Sequence, residues 1–330
     1  MDLPLLSAFF LAFTLTLYVI LDGFDLGVGI LLLFQPVETA RDHMVDSITP
    51  TWDGNETWII MAGITLLAAF PIAYSILLPA FYLPVIAMLL ALGFRGVSFE
   101  FRVQSKQHRR AWDVAFGVGS LVAALMQGLI VGGLMQGVTV QSRQFVGSVL
   151  DSFRPLPIIS GITLLLGYAV LGGGWLKLKS NASLQPFASG SLRVAAPAFA
   201  VLFGIACIYA VRIQPGIRSQ WASHGIALAC LAGLFAIVAG TLTALSGKNR
   251  PALPFLLGLS LFVFGISGMA LIVFPKIVPF SVSLWDASSS AASQGLVMIG
   301  AACVTPVVLA YSALAYWIFR GKTPEGGWEA

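Results

Sequence analysis

The sequence predicts an all-α polytopic membrane protein with about nine transmembrane helices, and three observations lead to this fold class. Hydrophobic residues make up 58% of the 330 residues, and the mean hydropathy is +0.91. Charged residues account for only 10%, whereas soluble domains carry about a quarter. Apolar runs long enough to span lipid recur along the whole chain, with short loops between them. We therefore expect a single integral membrane domain over residues 1–330.

Nine apolar runs each predict one membrane-spanning helix. They cover residues 5–34, 54–74, 76–99, 112–138, 156–176, 194–212, 222–246, 252–275 and 292–319. Only a predicted turn from Pro71 to Pro79 separates the second run from the third, and fusing these two runs would leave eight helices. The first run does not resemble a cleavable signal, because it is too long, lacks a basic start and contains acids.

The basic residues predict an N-terminus outside the cell and a C-terminus in the cytoplasm. With nine spans, one side of the membrane receives Arg41, Arg102, Lys106, Arg109, Arg110, Lys177, Lys179, Arg193, Lys248, Arg250, Arg320 and Lys322. The other side receives only Arg143, Arg154, Arg212, Arg218 and Lys276. Cytoplasmic loops carry the excess of Lys and Arg, so the first side is expected to be the cytoplasmic one. Topology thus accounts for the net charge of +4, and no nucleic-acid partner is expected.

Two acids, Asp22 and Asp25, interrupt the first apolar run. A charged carboxylate near the centre of a lipid-facing helix costs roughly 2.5–3.5 kcal/mol, so such residues usually have a partner or a function. The helical period of about 100° per residue places both acids on one polar face. The members of this face are Thr14, Tyr18, Asp22, Asp25 and Gly29. On another face, Gly23 and Gly27 have the spacing that lets a second helix approach closely.

Further polar residues gather at the predicted cytoplasmic side of the first four helices. The second helix begins within Trp52–Trp58, which contains Asp53, Asn55 and Glu56. The third helix ends within Phe94–Arg102, which contains Arg95 and Glu100. We therefore expect residues 1–140 to form a first helix bundle that carries the buried acids. The spans within 156–320 hold no charged residue in their interiors and predict a second, apolar bundle and a last helix.

Proton transfer is the chemistry that these acids favour. A carboxyl group held away from water can load and release a proton near neutral pH. A relay through Asp25 and Asp22, entered through Asp53 or Glu56, is therefore predicted. One alternative is that Asp53 and Glu56 only stabilise the start of a helix through its dipole. Another is that the acids only pair with Arg95.

Four residues are expected to form a structural polar cluster beside the acids. They are Arg95, Glu100, Asn55 and Trp52. Arg95 lies deep enough in its run to pair with a carboxylate from the first or second helix. Arg102 is instead expected to extend toward the interface, as long basic side chains do near helix ends.

The histidines and cysteines argue against a metal or haem bound directly by this chain. His43 and His108 fall in predicted loops and His224 at a helix end, and no second histidine faces any of them across a bundle. Haem ligation needs His, Met or Cys inside the bundle. Cys207, Cys230 and Cys303 lie in apolar runs without metal-binding spacing.

Four motifs in this order resemble subunit II of cytochrome bd-type quinol oxidases, especially the shorter, cyanide-insensitive branch. The motifs are Asp22–Gly29, Trp52–Trp58, Phe94–Arg102 and Ser283–Ala287. The resemblance extends from the first helix to Tyr316 and Trp317 in the last, and motifs of this length are highly specific.

The resemblance implies a fold of two four-helix bundles plus a peripheral helix, in a bacterial inner membrane. It implies a partner, subunit I, that carries haem b and haem d and, with this chain, oxidises quinol and reduces dioxygen to water. Acids matching Asp25 and Asp53 belong to a proton path in that family. A small single-helix third subunit often accompanies the pair, and some members hold a structural quinone in subunit II. Membrane lipids are the remaining expected partners. The alternative function is a proton-coupled secondary transporter, although the second half lacks the paired broken helices typical of that class.

Overall fold

The structure, a computed structural model, describes residues 2–105, 108–181, 183–248 and 250–324, and almost all of them are helical. The helices are α1 (Leu3–Leu32), α2 (Glu38–Asp46), α3 (Trp52–Ala69), α4 (Pro71–Ala80), α5 (Tyr82–Gln104), α6 (Arg109–Gln136), α7 (Pro155–Lys179), α8 (Gln185–Ile213), α9 (Pro215–Leu245), α10 (Ala252–Val273), α11 (Leu284–Ala287) and α12 (Ala291–Ile318). A 3₁₀ helix covers Val149–Phe153. Two antiparallel hairpins pair β1 (Val140–Gln141) with β2 (Gln144–Phe145), and β3 (Lys276–Val278) with β4 (Val282–Ser283).

Within the described residues, nine helices run between two ends of the molecule. We call the end with the two β-hairpins the hairpin end and the opposite one, where Asp53 lies, the acid end. Among the described residues, eight helices are long and apolar enough to cross a membrane. They are α1, α5, α6, α7, α8, α9, α10 and α12. The ninth is α3, whose first turn contacts Tyr316 near the end of α12 and whose last residue, Ala69, packs with Val278 of β3. Its 18 residues span about 27 Å, close to the thickness of the hydrocarbon core.

The segment from Pro71 to Pro79, predicted as a turn, is instead the ten-residue helix α4. Proline fits the first position of a helix, where its missing N–H has no partner to lose. Ala73 and Ile76 of α4 are buried against Val278 and Val282 of the second hairpin. Contact with the hairpins therefore stabilises this short apolar stretch as a helix.

The crossing helices form two groups of four, as the fold class predicted. The first group contains α1, α3, α5 and α6, and the second contains α7, α8, α9 and α10. The last helix, α12, packs along α3 at the edge of the first group. A continuous cluster of buried apolar side chains joins the groups, with Phe24 of α1, Leu171 of α7 and Phe262 of α10 among its members.

Close contact between α1 and α7 holds the two groups together. A Cβ atom on Gly27 would overlap the carbonyl oxygen of Tyr168, and one on Gly172 would overlap the backbone of Gly27. Small residues let helix backbones approach in this way, which increases dispersion contacts between them. As a result, every residue of α1 from Asp22 to Leu32 is buried. The acid-bearing half of α1 is therefore the centre of the protein rather than a lipid-facing surface.

Candidate functional site

Arg95 of α5 lies beside both acids of α1. Its Nη1 atom donates a hydrogen bond of 2.7 Å to Oδ1 of Asp22. Its Nη2 atom is 3.9 Å from Oδ2 of Asp25, and Nη1 is 3.7 Å from Oε2 of Glu56. The side chains of Arg95, Asp22 and Asp25 are fully buried, whereas that of Glu56 is 26% exposed. We call these four residues the acid site.

The acid site holds three carboxyl groups and one guanidinium. If all three acids were ionised, two negative charges would be left uncompensated inside the protein, which is strongly unfavourable. The four side chains are nearest to neutrality when two of the carboxyl groups carry protons. Oδ2 of Asp22 and Oδ1 of Asp25 accept no hydrogen bond from the described residues. Each acid thus keeps one oxygen on which a proton can reside.

Asn55 of α3 completes the contacts of Asp25. Its Nδ2 atom donates to Oδ2 of Asp25 at 2.7 Å, and the hydroxyl of Tyr316 donates to its Oδ1 atom at 2.8 Å. An amide donor stabilises the ionised form of a carboxyl group. Asn55, predicted as a member of the structural polar cluster beside the acids, contacts Asp25 directly.

Asp53 and Glu56 occupy different positions at the start of α3. Asp53 is exposed in the first turn, where a carboxylate favours the positive end of the helix dipole. It lies within electrostatic range of Arg95 and Glu100. Glu56 turns toward Arg95 rather than capping the helix. Glu56 therefore links the buried acids to the surface, and Asp53 stands one turn further out.

Two residues of the predicted polar cluster do not join the acid site. Glu100 is exposed on α5, because five residues separate it from Arg95 and place it on another part of the helix surface. The ring of Trp52 stacks on Phe99 at 4.6 Å between centroids and packs over Gly96. Trp52 thus anchors α3 to α5 through apolar contact, next to the acid site but outside it.

A line of hydrogen bonds extends from Asp22 into the centre of the bundle. The sequence predicted a polar role for Asp22 and Tyr18 but not for the other members of this line. Tyr18 lies one turn before Asp22 on α1, with its hydroxyl near that carboxyl group. Nε2 of Gln127 donates to the Tyr18 hydroxyl at 2.7 Å, and the Tyr168 hydroxyl donates to Oε1 of Gln127 at 2.7 Å. Gln127 and Tyr168 are themselves polar residues in the middle of the fourth and fifth apolar runs, and this feature of the sequence could have pointed to them.

A second network of buried ion pairs ties α2, α5 and α6 together at the acid end. Asp113 accepts from Nε of Arg41 and from Nε of Arg102, each at 2.7 Å. Arg102 also pairs with Asp42 at 2.5 Å, and Arg109 reaches the same carboxyl group at 3.3 Å. The expectation that Arg102 extends toward the interface is therefore wrong. The carboxylates of Asp113 and Asp42 hold its guanidinium inside the protein.

The three histidines lie on different helices or at their ends. His224 is exposed on α9, with Nδ1 3.1 Å from Oε1 of Gln220. His108 is exposed beside the start of α6, and His43 lies in α2 at the acid end. Within the described residues no group of three His, Cys, Asp or Glu side chains could hold a metal ion. The acid site and its neighbours supply carboxyl, amide and phenol groups.

Comparison with known proteins identifies relatives over nearly the whole chain. The sequence model of the family described as cytochrome bd terminal oxidase subunit II matches residues 3–319. Cytochrome bd-I ubiquinol oxidase subunit 2 of Escherichia coli strain K12 is 28% identical, over 92% of this chain and 91% of that protein. Cytochrome bd ubiquinol oxidase subunit 2 of Bacillus subtilis strain 168 is also 28% identical, with the same coverage. A chain in the structure of bd oxidase from Geobacillus thermodenitrificans shares the fold, with a TM-score of 0.76 at 16% identity over 97% of this chain and 99% of that one.

Proposed function

Because the chain belongs to the cytochrome bd terminal oxidase subunit II family, we propose that it conducts protons to the dioxygen-reducing centre of a quinol oxidase and supports the assembly of that complex. The chain is a multi-span subunit of a bacterial respiratory oxidoreductase whose complex uses haem and quinol and contains a subunit I. The relatives are named as subunits of oxidases, which gives the alternative of a separate proton-coupled transporter no support.

One observation carries the proton proposal. Three carboxyl groups surround a single buried guanidinium, and one of them, Glu56, is open to the acid end. The proposed path begins at Asp53, passes Glu56 and reaches Asp25 and Asp22. Each proton that enters reduces the uncompensated negative charge of the site, so protonation there is favoured by the neighbouring acids.

The haems b and d are assigned in this proposal to subunit I. The histidines of this chain support that assignment, since they lie on different helices: His108 and His224 are exposed, and His43 is half-buried in α2. The large apolar side chains on the outer faces of α3, α5 and α12 are open in the isolated chain, and Ile64, Leu90 and Leu314 are examples. Lipid and the partner subunit would share these faces. A small third subunit and a structural quinone remain predictions from the family resemblance.

We propose that the acid end faces the cytoplasm. The buried network of Arg41 and Arg102, the half-buried Arg109 and the exposed Arg110 all lie at this end, as the positive-inside rule requires. Protons consumed in dioxygen reduction would then come from the cytoplasm, which adds to the charge separation across the membrane.

The test is replacement of Asp25 by asparagine in the assembled complex. Asn keeps the shape and hydrogen-bonding capacity of the side chain but cannot carry the proton, so quinol-dependent oxygen uptake should fall by about tenfold or more. Haem content, read from the absorption spectrum, should be unchanged. Glu38→Gln is the matched control, because Glu38 is an exposed acid at the same end, in the first turn of α2. Normal turnover in Asp25→Asn with normal haem would remove Asp25 from the path.

A further inference from the structure

Asp25 lies between charged side chains on one side and, on the other, a line of uncharged hydrogen-bonding groups that begins at Tyr316 on the last helix. On one side stand Arg95 and Glu56. On the other side a directed line of hydrogen bonds runs from the Tyr316 hydroxyl to Oδ1 of Asn55, and from Nδ2 of Asn55 to Oδ2 of Asp25. The donors of this line all point toward Asp25.

The direction of the line depends on Tyr316. An asparagine amide can present either its carbonyl or its NH₂ group to a neighbour, and the neighbours decide which. With a hydroxyl proton directed at Oδ1, the NH₂ group of Asn55 must face Asp25. An NH₂ group donates to a carboxylate, whereas a carbonyl would accept from a protonated carboxyl group. The orientation present in the structure therefore favours the ionised form of Asp25.

The surroundings of Tyr316 hold its ring and the end of its helix in place. The ring packs edge-on against Trp175 at 6.3 Å between centroids. The end of α12 is held by Nζ of Lys179, which donates to the carbonyl oxygen of Phe319 at 2.5 Å. Tyr316 also lines a cavity of about 10 Å³ together with Ser47 and Thr51, which is at the lower limit for a single water. The side chain of Thr51 lies within hydrogen-bonding range of the Tyr316 hydroxyl, and in the bond to Asn55 the phenol is the donor.

We infer that Tyr316 is a positioning residue of the acid site: through Asn55 it holds an amide donor on Asp25 and so sets the pH range in which Asp25 gives up its proton. This inference rests on the proposed function, in which Asp25 carries protons. Other charged or titratable groups also face the pair of acids on α1. They are Glu56 on α3, Arg95 on α5, Tyr18 on α1 and Tyr168 on α7.

The same line of hydrogen bonds limits the side from which protons can reach Asp25. An amide donates a hydrogen bond without releasing its proton at ordinary pH, so Asn55 does not pass protons between Tyr316 and Asp25. The Tyr316 side of Asp25 is therefore closed to proton transfer. Entry is left to the side of Glu56, the partly exposed carboxyl group of the acid site.

The experiment is a double-mutant cycle in the complete oxidase, with Tyr316→Phe, Asn55→Ala and the double variant. The pH profile of quinol-dependent oxygen uptake should move to higher pH in Tyr316→Phe by about half to one unit, the equivalent of one neutral hydrogen bond. Haem content and the KM for quinol should stay as in the parent enzyme. In the Asn55→Ala background, Tyr316→Phe should cause no further shift, because the residue through which it acts is gone. Tyr311→Phe is the control, since Tyr311 is exposed on the same helix.

An unshifted uptake profile in Tyr316→Phe together with an unshifted titration of the Asp25 carboxyl band, or equal shifts in both backgrounds, would overturn the inference. Loss of assembly or haem in Tyr316→Phe would also overturn it, because the hydroxyl would then be structural. Infrared spectra separate this outcome from failure of the proposed function. Asp25→Asn should remove one protonated-carboxyl band, and Tyr316→Phe should move the titration of that band. If both spectral changes occur while oxygen uptake stays normal in both variants, the positioning role of Tyr316 is supported and proton conduction through Asp25 is contradicted.

Discussion

At the scale of single residues, Arg95 decides whether the acid site is tolerated inside the protein. It is fully buried and reaches three carboxyl groups. Taking such a group out of water is costly, and the cost is recovered only when the partners stay in place. Asp22, bonded at 2.7 Å, is its main partner, and Asp25 lies further away. Asp25 is thus the acid whose charge is less firmly held, which suits a group that exchanges a proton.

Replacement of Arg95 by methionine should destabilise the complex by about 3–5 kcal/mol, because Asp22 and its neighbours would be left as uncompensated buried acids. The measurement is the thermal midpoint of the detergent-solubilised complex together with its haem content. A double variant that also replaces Asp22 by asparagine should recover part of the stability, since one buried charge is removed with its partner.

Oxygen uptake by that double variant tests the rival view that the acids serve only to pair with Arg95. If Asp22 and Arg95 form nothing more than a structural pair, neutralising both should leave turnover normal. We expect turnover to remain low, because Asp22 belongs to the proposed proton path and asparagine cannot carry its proton. Full activity in an assembled double variant would contradict the proton role of the acid site.

The site residues that could be predicted were those with an unusual residue type for their surroundings. Asp22 and Asp25 stood out as acids in an apolar run, and Arg95 as a deep base in another. Gln127 and Tyr168 did not stand out, because an uncharged polar residue in a membrane helix is common and its partners are set by packing. Glu100 was wrongly grouped with Arg95, since sequence proximity does not place two side chains on one helical face.

At the scale of elements, the contact between α1 and α7 sets the geometry of the site. Gly27 and Gly172 allow the two backbones to touch, which brings Tyr168 over Gly23 and near Asp22. The spacing of Gly23 and Gly27 predicted a close helix partner, and the structure confirms this. Which helix takes that place was not predictable, because several runs contain pairs of small residues.

Gly27→Ala should lower the stability of the complex by about 1–3 kcal/mol or more, because its methyl group would overlap the Tyr168 carbonyl and force the two helices apart. The thermal midpoint and the yield of assembled, haem-containing complex report this loss. Gly240→Ala on α9 is the matched control, since a Cβ there meets nothing within 4 Å. Alanine favours helix over glycine, so the control should be neutral or slightly stabilising. Equal behaviour of the two variants would contradict the close-packing role of Gly27.

At the scale of the whole molecule, the alternation of the long helices places the described connections at one end or the other. The hairpins, α4 and α11 pack at one end, and α2 with the ion pairs of Asp113 packs at the other. From the positive-inside rule we propose that the second of these ends faces the cytoplasm.

Cysteine labelling tests this orientation. In a chain with Cys207, Cys230 and Cys303 replaced by serine, Gln141→Cys at the hairpin end should react with a membrane-impermeant maleimide in intact cells. Lys248→Cys at the acid end should react only after the membrane is opened. Both positions are exposed, so the accessibility of the reagent is what differs. The reverse pattern would place the acid site toward the outside and remove the cytoplasm as its proton source.

The all-α membrane fold class and the family resemblance followed from the sequence alone, because lipid imposes length and apolarity on every spanning helix and those properties are local. The helix α4 escaped prediction, since its stability comes from contact with the distant second hairpin. The tertiary structure decided which polar groups meet. Asp22 and Arg95 are 73 residues apart, and Asn55 and Tyr316 are 261 apart. Packing brings such pairs to hydrogen-bonding distance, and a helical period carries no information about which distant helix will lie alongside.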